Sequence, residues 1–396
     1  MCGSDQSIIQ KARRFDVIWK ISSPKRWTNS KSISRIITLA LVIIIIAIAG
    51  GAAYYFISTF STTTTPSSTS TESSCTSRSI DAGTPYMGAI AYDPSNGYIY
   101  ASTKNGMITI NSSGNTITDN VSLGFDPSSI SYNPGNGMIY ATDLATGRGA
   151  VFDPNSGNAT NLGFNEFPYS TPNPASYNPA LNVYYSSGSY LYYIVNASSN
   201  SLIDYFQLGT NIQGMTYDQS NQILYIANLG NNTASGSVYA VKPGNDNLVA
   251  NVTKGAYFGP SGIALDTSNG YLYVTDIGSD YLHTLNLGHG VIGNVSIIDT
   301  KTNTFVKTLT VGFGMPRNPI YVEKDSRVYF FSMNYGGGAS VLGINDKTNT
   351  IAFNVTVDNP TMNIPTGMTF DPQNGCLYLI GNAPSGTVNI VTVPTD

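Results

Sequence analysis

The chain has 396 residues, of which 11% are charged, 11% are aromatic and 41% are hydrophobic. Lysine and arginine number 19 against 23 aspartate and glutamate residues, so the net charge is −4. This composition is too polar for a protein that crosses the membrane many times and too rich in hydrophobic residues for a disordered chain. The weak negative charge also argues against a nucleic-acid-binding surface. One large domain, or two of ordinary size, is expected.

A membrane anchor is predicted near the N-terminus. Residues 36–57 contain no charged side chain and would form a helix long enough to cross about 30 Å of hydrocarbon. Residues 1–35 form a basic leader, which is expected to stay in the cytoplasm and to leave the rest of the chain outside the cell. The alternative is a cleaved signal peptide, because the small residues Gly51, Ala52 and Ala53 could form a cleavage site.

The next segment, residues 58–76, consists mostly of serine and threonine. Such a composition cannot bury a core and is often O-glycosylated on exported proteins. The segment is predicted to be a stalk, and an unmodified flexible linker would leave the domain organisation unchanged.

A repeated turn then dominates the sequence. Each copy follows a short apolar strand and resembles Asp-Pro-x-Asn-Gly, and the copies lie 40 to 57 residues apart. This is the length of a four-stranded propeller blade. Aligned on its first residue, the turn occurs seven times, at Tyr92, Tyr132, Tyr177, Tyr217, Leu265, Val322 and Phe370. The predicted fold is all-β, a seven-bladed β-propeller of four-stranded blades over residues 77–396, preceded by the transmembrane helix.

The last repeat has only three strands, because the chain ends soon after Thr387–Val393. Residues 77–83 precede the first repeat in the way that the outer strands precede the later ones. This N-terminal strand is therefore predicted to close the ring by pairing with the last blade, which would remove two unpaired sheet edges.

The repeats resemble the YVTN/YncE-type β-propeller family, which is common on archaeal and bacterial cell surfaces. The resemblance is carried by Asn294–Val322, by Pro260–Asp276 and by the Tyr-Val-Thr-Asp-like sequences that start at Tyr140, Tyr225 and Tyr273. It covers residues 77–394 and departs from the pattern in blade three (169–209) and at 322–327 in blade six, where irregular packing is expected. The resemblance implies a surface, adhesion-type or periplasmic protein, and a propeller can host many functions.

Catalytic motifs are absent: the sequence contains no HExxH, GxSxG, P-loop or CxxC. The two histidines, His283 and His289, lie in one long loop of blade five and would need a third ligand from another blade to bind a metal. No metal site is predicted there.

A polar ring is predicted where the second strands of four blades end around the channel mouth. Such carboxylate and amide oxygens could hold a hard cation in the channel, although residues of this kind more often cap loops through hydrogen bonds to the backbone. No other cofactor is expected. The ring consists of Asp143, Asn228, Asp276 and Asn382.

A partner-binding face is predicted on the loops that join one blade to the next. Aromatic side chains with an arginine supply a large contact area and suit a surface protein or a glycan, although several of them are expected to pack between blades. The candidate binding residues are Tyr86, Phe167, Tyr169, Tyr257, Phe258, Phe313 and Arg317.

Eight N-x-S/T glycosylation sequences follow the predicted anchor and none precedes it. Six are expected in outer strands or the turns that lead into them, where glycans would shield the rim and leave the loop face open. They are Asn111, Asn120, Asn158, Asn196, Asn231, Asn251, Asn294 and Asn354.

Two of the three cysteines, Cys75 and Cys376, lie in the predicted extracellular part. A disulfide between them would staple the ring closure. Two strand spacings of about 4.8 Å separate their strands, so the bridge requires that the chain before Ser77 fold across the sheet.

Two functions remain open. The first, which is favoured, is a non-catalytic cell-surface module for binding or adhesion. The second is an extracytoplasmic propeller enzyme, a lactonase-like hydrolase or a quinoprotein-like oxidoreductase, with its site at the channel mouth. The scarcity of His, Glu, Lys and Arg on the predicted loops favours the first, because acid–base catalysis needs such groups.

Overall fold

The computed structural model of the chain describes residues 77–394 with eleven gaps. The gaps are residues 85–86, 144–145, 163–175, 188–190, 231–235, 245–246, 254–257, 278–291, 334–338, 358–363 and 383–385. The side chains of Ser77, Leu162, Phe313, Ile364 and Asn382 also lie outside the description. The predicted leader, transmembrane helix and stalk therefore lie outside the described residues. Among the residues that are described, no helix is long and apolar enough to span a membrane.

The described residues form 28 strands. The first strand is β1 (Ser77–Asp81), and the strands that follow are grouped into blades one to seven in chain order. Blade one contains β2 (Ile90–Asp93), β3 (Tyr98–Thr103), β4 (Gly106–Asn111) and β5 (Thr116–Ser122). Blade two contains β6 (Ser129–Asn133), β7 (Met138–Asp143), β8 (Arg148–Asp153) and β9 (Asn158–Leu162). Blade three contains β10 (Ser176–Asn178), β11 (Val183–Ser187), β12 (Leu191–Asn196) and β13 (Leu202–Gln207).

The later blades follow the same order. Blade four contains β14 (Ile212–Asp218), β15 (Ile223–Asn228), β16 (Ser237–Lys242) and β17 (Asn247–Val252). Blade five contains β18 (Pro260–Asp266), β19 (Tyr271–Asp276), β20 (Ile292–Asp299) and β21 (Thr304–Phe313). Blade six contains β22 (Met315–Val322), β23 (Arg327–Met333), β24 (Ala339–Asn345) and β25 (Thr350–Val357). Blade seven contains β26 (Ile364–Asp371), β27 (Cys376–Asn382) and β28 (Thr387–Thr392).

Within the described residues, the strands pair into seven four-stranded antiparallel sheets, and six of them follow chain order from the inner to the outer strand. The innermost strands of neighbouring sheets lie side by side from β10 through β14, β18 and β22 to β26, and β2 of blade one contacts both β6 of blade two and β26 of blade seven. The predicted seven-bladed β-propeller of four-stranded blades is therefore confirmed. Two ends of the propeller are distinguished below: the hairpin end, where the turns join inner strands to second strands, and the loop end opposite to it.

The seventh sheet is completed by the N-terminal strand. Its order is β1-β28-β27-β26, so β1 supplies the outer strand that the C-terminal part of the chain lacks. β1 runs antiparallel to β28 from the pair Ser77–Val391 to the pair Asp81–Thr387. First and last strands thus close the ring by backbone hydrogen bonds.

The hydrophobic core lies between neighbouring blades. In one cluster, Tyr225 and Val238 of blade four pack with Ile263 and Leu272 of blade five. Each blade buries one large tyrosine at the third position of its second strand, and the exposed fraction of these side chains is 4% or less. The seven residues are Tyr100, Tyr140, Tyr185, Tyr225, Tyr273, Tyr329 and Tyr378.

The hydroxyl groups of four of these tyrosines bind the next blade. Tyr273 donates to Asn349 Oδ1 at 2.7 Å, and Tyr378 donates to Asn115 Oδ1 at 2.6 Å. Tyr225 donates to Asn303 Oδ1 at 3.1 Å, and Tyr140 donates to Asn200 Oδ1. All four asparagines occupy the left-handed region of the turn before an outer strand. Burial and nearby carboxylates raise the pKa of Tyr225 to about 12, so its hydroxyl remains a donor at neutral pH.

Blade six uses a different partner because of the way the ring closes. The outer strand of blade seven comes from the N-terminus, so β28 is not followed by a turn into an outer strand. Tyr329 instead donates its hydroxyl to Asp325 of its own blade. In other blades the position of Asp325 is held by an asparagine, such as Asn96 or Asn221, whose amide donates to the tyrosine of its own blade. Ring closure leaves Tyr329 without the turn asparagine of a next blade as acceptor, which explains an aspartate at this position.

The hairpin turns depend on a buried Asp or Asn and on a residue with positive φ. Asp93 ends β2, and its Oδ1 accepts hydrogen bonds from the backbone N of Ser95 at 2.8 Å and from its hydroxyl at 2.7 Å. Gly97, with φ +74°, then turns the chain into β3. Glycine is favoured there because it lacks the Cβ that disfavours this region.

The structure corrects the sequence alignment of blade six by one residue. Val322 was aligned with Tyr92, but Val322 pairs with Arg327 just as Asp93 pairs with Tyr98. Tyr321 is therefore the equivalent of Tyr92. The alignment was wrong because Ser326, with φ +53°, takes the place of the usual glycine, and Val322 takes the place of the usual Asp. Blade six still forms a complete sheet, with a short 3₁₀ turn at Glu323–Asp325.

Replacement of Ser326 by glycine is expected to stabilise the propeller by about 0.5–1 kcal/mol, because the left-handed region disfavours residues that carry a Cβ. Chemical denaturation of the two proteins measures the difference. The reciprocal control is Gly270→Ser in blade five, where φ is +75°, and it is expected to destabilise by a similar amount. A destabilising effect of Ser326→Gly would contradict this explanation of the turn.

Candidate functional site

A cavity lies along the central axis, between the inner strands. Its volume is about 590 Å³, and every blade contributes to its wall. Glycines on three inner strands bring the backbone up to the cavity: Gly214, Gly262 and Gly367. A Cβ at Gly262 would lie 2.6 Å from Cδ of Pro319, so the close approach of blades five and six requires glycine at this position.

Aromatic rings from blades seven, one, two and three line one side of the hairpin end of the cavity. Tyr92, Tyr132, Tyr177 and Phe370 line it at equivalent positions, each one residue before the buried Asp or Asn that caps the turn. Pro94, Pro134 and Pro372 extend the same wall. We call these seven residues the aromatic collar. The collar arises because the repeat places an aromatic residue at the end of these inner strands.

Two tyrosines of the collar, Tyr92 and Tyr132, remain neutral. Burial is the main cause of the raised pKa of Tyr92, and the neighbouring Asp371 raises it further. Burial and Asp93 raise the pKa of Tyr132 in the same way. Both hydroxyl groups therefore stay protonated through the physiological pH range.

The remaining wall of the cavity is uncharged. Among the described residues that line it, the other polar side chains are Ser131, Gln213, Asn318 and Thr369, and none is Asp, Glu, His, Lys, Arg or Cys. Gln213 Nε2 donates to Asn211 Oδ1 at 2.7 Å, which orients the amide. Such a wall can accept apolar or aromatic groups and a few hydrogen bonds, but its side chains supply no general acid or base near neutral pH.

The predicted polar ring occupies a different place. Asn228 Oδ1 accepts hydrogen bonds from the backbone N of Thr210 and of Asn211, each at 2.9 Å, and Asp276 Oδ1 accepts one from Gly259 N at 2.9 Å. Asp143 Oδ2 accepts a hydrogen bond from the hydroxyl of Thr146. These three side chains are buried, cap loops and do not line the cavity, whereas the side chain of Asn382 lies outside the description.

No group of three or more His, Cys, Asp or Glu side chains suited to a metal occurs among the described residues. His283 and His289 lie outside them. A cation in the predicted ring therefore stays a prediction.

The candidate partner-binding residues divide into three groups. Tyr86, Phe167, Tyr169 and Tyr257 lie outside the described residues. Phe258 is 1% exposed and makes an edge-to-face contact with Phe305, with 5.4 Å between ring centroids, so it packs in the core and does not face a partner. Phe313 ends β21, and its side chain lies outside the description; Arg317 is half-buried on β22.

The predicted glycosylation sites are mostly on the outer side of the blades. Asn120, Asn158, Asn251 and Asn354 are exposed on outer strands. Asn111 and Asn196 are half-buried at the ends of third strands, where their Oδ1 atoms cap turns. Asn294 is half-buried on β20 and accepts a hydrogen bond from Thr310. Asn231 lies outside the described residues, and glycosylation of the set stays a prediction.

The two predicted disulfide partners are placed unequally. Cys376 is buried at the start of β27 and lies opposite Thr392 of β28. Cys75 lies outside the described residues, so the Cys75–Cys376 disulfide also stays a prediction.

The sequence did not predict the aromatic collar. The signal was present, because an aromatic residue begins most of the aligned turns, at Tyr92, Tyr132, Tyr177, Tyr217 and Phe370. In the sequence, this aromatic residue marks the start of the hairpin and does not by itself indicate a cavity. The equivalent position does not always line the channel: Tyr217 is not in the cavity wall, and in blade six Ile320 lines the cavity and Tyr321 does not.

Comparisons with known proteins support the fold. No family model and no curated protein matches the chain. A chain of the Kuenenia stuttgartiensis hydrazine synthase superposes with a TM-score of 0.63 at 12% identity, covering 80% of this chain and 98% of that chain. A chain of a mitotic checkpoint complex superposes with a TM-score of 0.61 at 11% identity, covering 80% and 91% respectively. At these identities the likeness shows the propeller fold alone.

Proposed function

We propose that this protein is a membrane-anchored binding scaffold, displayed outside the cell, whose propeller holds an uncharged part of a surface protein or glycan in its central cavity. A binding or scaffold role fits the propeller fold. The observation that carries the proposal is the part of the cavity wall that the structure describes, which combines an aromatic collar with four neutral polar side chains and has no charged side chain.

The aromatic collar suits such a partner for a physical reason. Tyrosine and phenylalanine rings bury a large area at a small cost in side-chain entropy, and tyrosine adds a hydrogen-bonding group. The cavity, at about 590 Å³, is within the usual range for a ligand pocket. Anchoring rests on the uncharged segment at residues 36–57 and on the basic residues before it.

The alternative of a hydrolase or oxidoreductase would need groups that can transfer protons or orient a reacting atom. Within the described part of the wall, the polar side chains are amides, aliphatic hydroxyls and phenols. Binding is therefore the better-supported function. Membership of the YVTN/YncE-type family is likewise a proposal, and it depends on the sequence motifs around Tyr140, Tyr225 and Tyr273.

The proposal predicts that filling the cavity abolishes partner binding. Full-length tagged protein would be cross-linked in native membranes, purified, and its co-purifying protein or glycan quantified. Thr369→Trp places a large ring at the cavity wall, and recovery of the partner is expected to fall at least tenfold, because the space for it is occupied. The matched control is Thr304→Trp, an exposed position on the outer strand β21.

Thermal unfolding of both variants checks that the propeller remains folded. Equal recovery of the partner with wild-type protein and a folded Thr369→Trp variant would reject the cavity as the binding site. Absence of any stoichiometric partner from wild-type protein would reject the scaffold function.

A further inference from the structure

Two buried carboxylates meet between blades five and six, at the hairpin end and away from the wall of the central cavity. Asp266 ends the inner strand of blade five, and Asp346 opens the turn between β24 and β25 of blade six. Their exposed fractions are 0% and 5%. Two hydroxyl groups link the carboxylates: the hydroxyl of Tyr321 lies 3.2 Å from Asp346 Oδ2 and 3.2 Å from the hydroxyl of Ser268, which donates to Asp266 Oδ1 at 2.7 Å.

Each carboxylate uses one oxygen in the fold and leaves the other without a hydrogen-bond partner. Asp266 Oδ1 accepts from the backbone N of Ser268 at 2.8 Å and from its hydroxyl at 2.7 Å. Asp346 Oδ2 accepts from the hydroxyl of Tyr321 at 3.2 Å. Asp266 Oδ2 and Asp346 Oδ1 are buried, and no described residue donates a hydrogen bond to either.

Two adjacent buried carboxylates lower the stability of the fold unless a further group binds their unpaired oxygens. A buried carboxylate is normally paired or coordinates a metal ion, and a second negative charge beside it adds repulsion. The exposed Lys347 at the rim offsets the charge only in part, because an ammonium group in water interacts weakly.

The pair is peculiar to one blade interface. In five blades the position of Asp346 is defined by a backbone N that donates to the carbonyl oxygen of the residue with positive φ in the hairpin of the same blade, and Val393 holds this position in blade seven. Blades two and four have a proline there, Pro154 and Pro243. Ser112, Ala197 and Thr300 hold this position in blades one, three and five. These side chains are neutral. Among the equivalent positions, Asp346 is therefore the one that places a second carboxylate beside the buried Asp or Asn of the preceding blade.

A cleft of about 600 Å³ opens beside Asp346, with Lys347 also in its wall, whereas Asp266 lies behind the residues that line it. The residues that line it include Asp346, Tyr321, Ser268, Asn269, Asn349 and Glu323. Most of their polar groups are oxygen atoms, which are the ligands that hard divalent cations prefer. The hydroxyls of Ser268 and Tyr321 already contact the two carboxylates.

We propose that this cleft binds one Ca²⁺ ion between Asp266 Oδ2 and Asp346 Oδ1, with hydroxyl oxygens and water completing the coordination. Two carboxylates with neutral oxygens suit Ca²⁺, which takes six to eight oxygen ligands in flexible geometry. The ion neutralises both buried charges and joins blade five to blade six. This inference does not depend on the proposed binding of a surface partner.

The test uses the full-length protein in detergent, freed of metal by a chelator. Calorimetry or equilibrium dialysis with CaCl₂ is expected to give one bound ion per chain, and the midpoint of thermal unfolding is expected to rise with Ca²⁺ concentration. Asp266→Asn and Asp346→Asn are each expected to weaken binding at least tenfold and to reduce the calcium-dependent rise. MgCl₂ is expected to bind more weakly, because the buried pair cannot offer regular octahedral geometry.

Asp371→Asn is the matched control. Asp371 holds the position of Asp266 in blade seven, is also fully buried and also has an unpartnered Oδ2, but the facing residue of blade one is the neutral Ser112. Calcium binding should be unchanged in this variant. Absence of a bound ion in the wild-type protein would overturn the proposal. Equal calcium affinity in wild-type and folded Asp346→Asn protein, or an equal loss in Asp371→Asn, would also overturn it.

Discussion

Deletion of residues 77–83 is expected to abolish cooperative unfolding of the propeller. The deletion removes β1 and leaves β28 as an unpaired edge, and it uncovers the side of blade seven on which Ile80 packs. Since the seven blades stabilise one another through their shared interfaces, an open ring loses stability on the order of the whole folding free energy, roughly 5–15 kcal/mol. Circular dichroism during heating, together with the fraction of soluble protein, measures the effect.

A circular permutant is the control for this deletion. It begins at Thr84 and carries residues 77–83 after Asp396 through a short glycine-serine linker, so that the outer strand of blade seven follows β28 as the outer strands of the other blades follow their third strands. This permutant is expected to unfold cooperatively. A deletion variant as stable as the full chain would show that the ring does not depend on β1.

Replacement of Tyr225 by alanine is expected to destabilise the protein by about 3–5 kcal/mol. Its ring is 0% exposed and lies between blades four and five. Its hydroxyl reaches Asn303 Oδ1 and the carbonyl oxygen of Thr300, both at 3.1 Å in the next blade. The alanine variant loses the packing as well as these hydrogen bonds, and chemical denaturation measures the sum.

Two further variants separate the contributions. Tyr225→Phe keeps the ring and removes the hydroxyl, so it is expected to cost about 1–2 kcal/mol, because buried acceptors lose their donor. Tyr205→Ala is the surface control: this tyrosine is 56% exposed on the outer strand of blade three, and its loss should change stability by less than about 0.5 kcal/mol. Similar losses for Tyr225→Ala and Tyr205→Ala would contradict the assignment of Tyr225 to an interface between blades.

The fold could be predicted because each repeat contains a turn whose conformation requires particular residue types. Each turn combines a capping side chain with a residue of positive φ, and both leave a signal in the sequence. Blade six shows the limit of this signal. Ser326 and Val322 replace the usual glycine and aspartate, so the sequence alignment of blade six is wrong by one residue. The backbone pairing of its first two strands nevertheless matches that of the other blades.

The candidate site was harder to predict because it depends on where side chains point in three dimensions. Phe258 lies in a loop that looks exposed in sequence, yet the adjoining blades bury it against Phe305. Asp266 and Asp346 come from different blades, and their proximity follows from the way that the hairpin of one blade meets a turn of the next. A single sequence therefore shows that the blades repeat, but it does not show which side chains of neighbouring blades contact one another.

The pairing of β1 with β28 also has a consequence for biosynthesis. β1 is the first strand of the propeller to leave the ribosome, and its partner is the last. The early strand must remain unpaired with its native neighbour until the six complete blades and the remainder of the seventh have been made. Ring closure is therefore a contact of very large sequence separation, which favours a slow final step in folding. During translation, any factor that shields the edge of β1 would protect the nascent chain from aggregation.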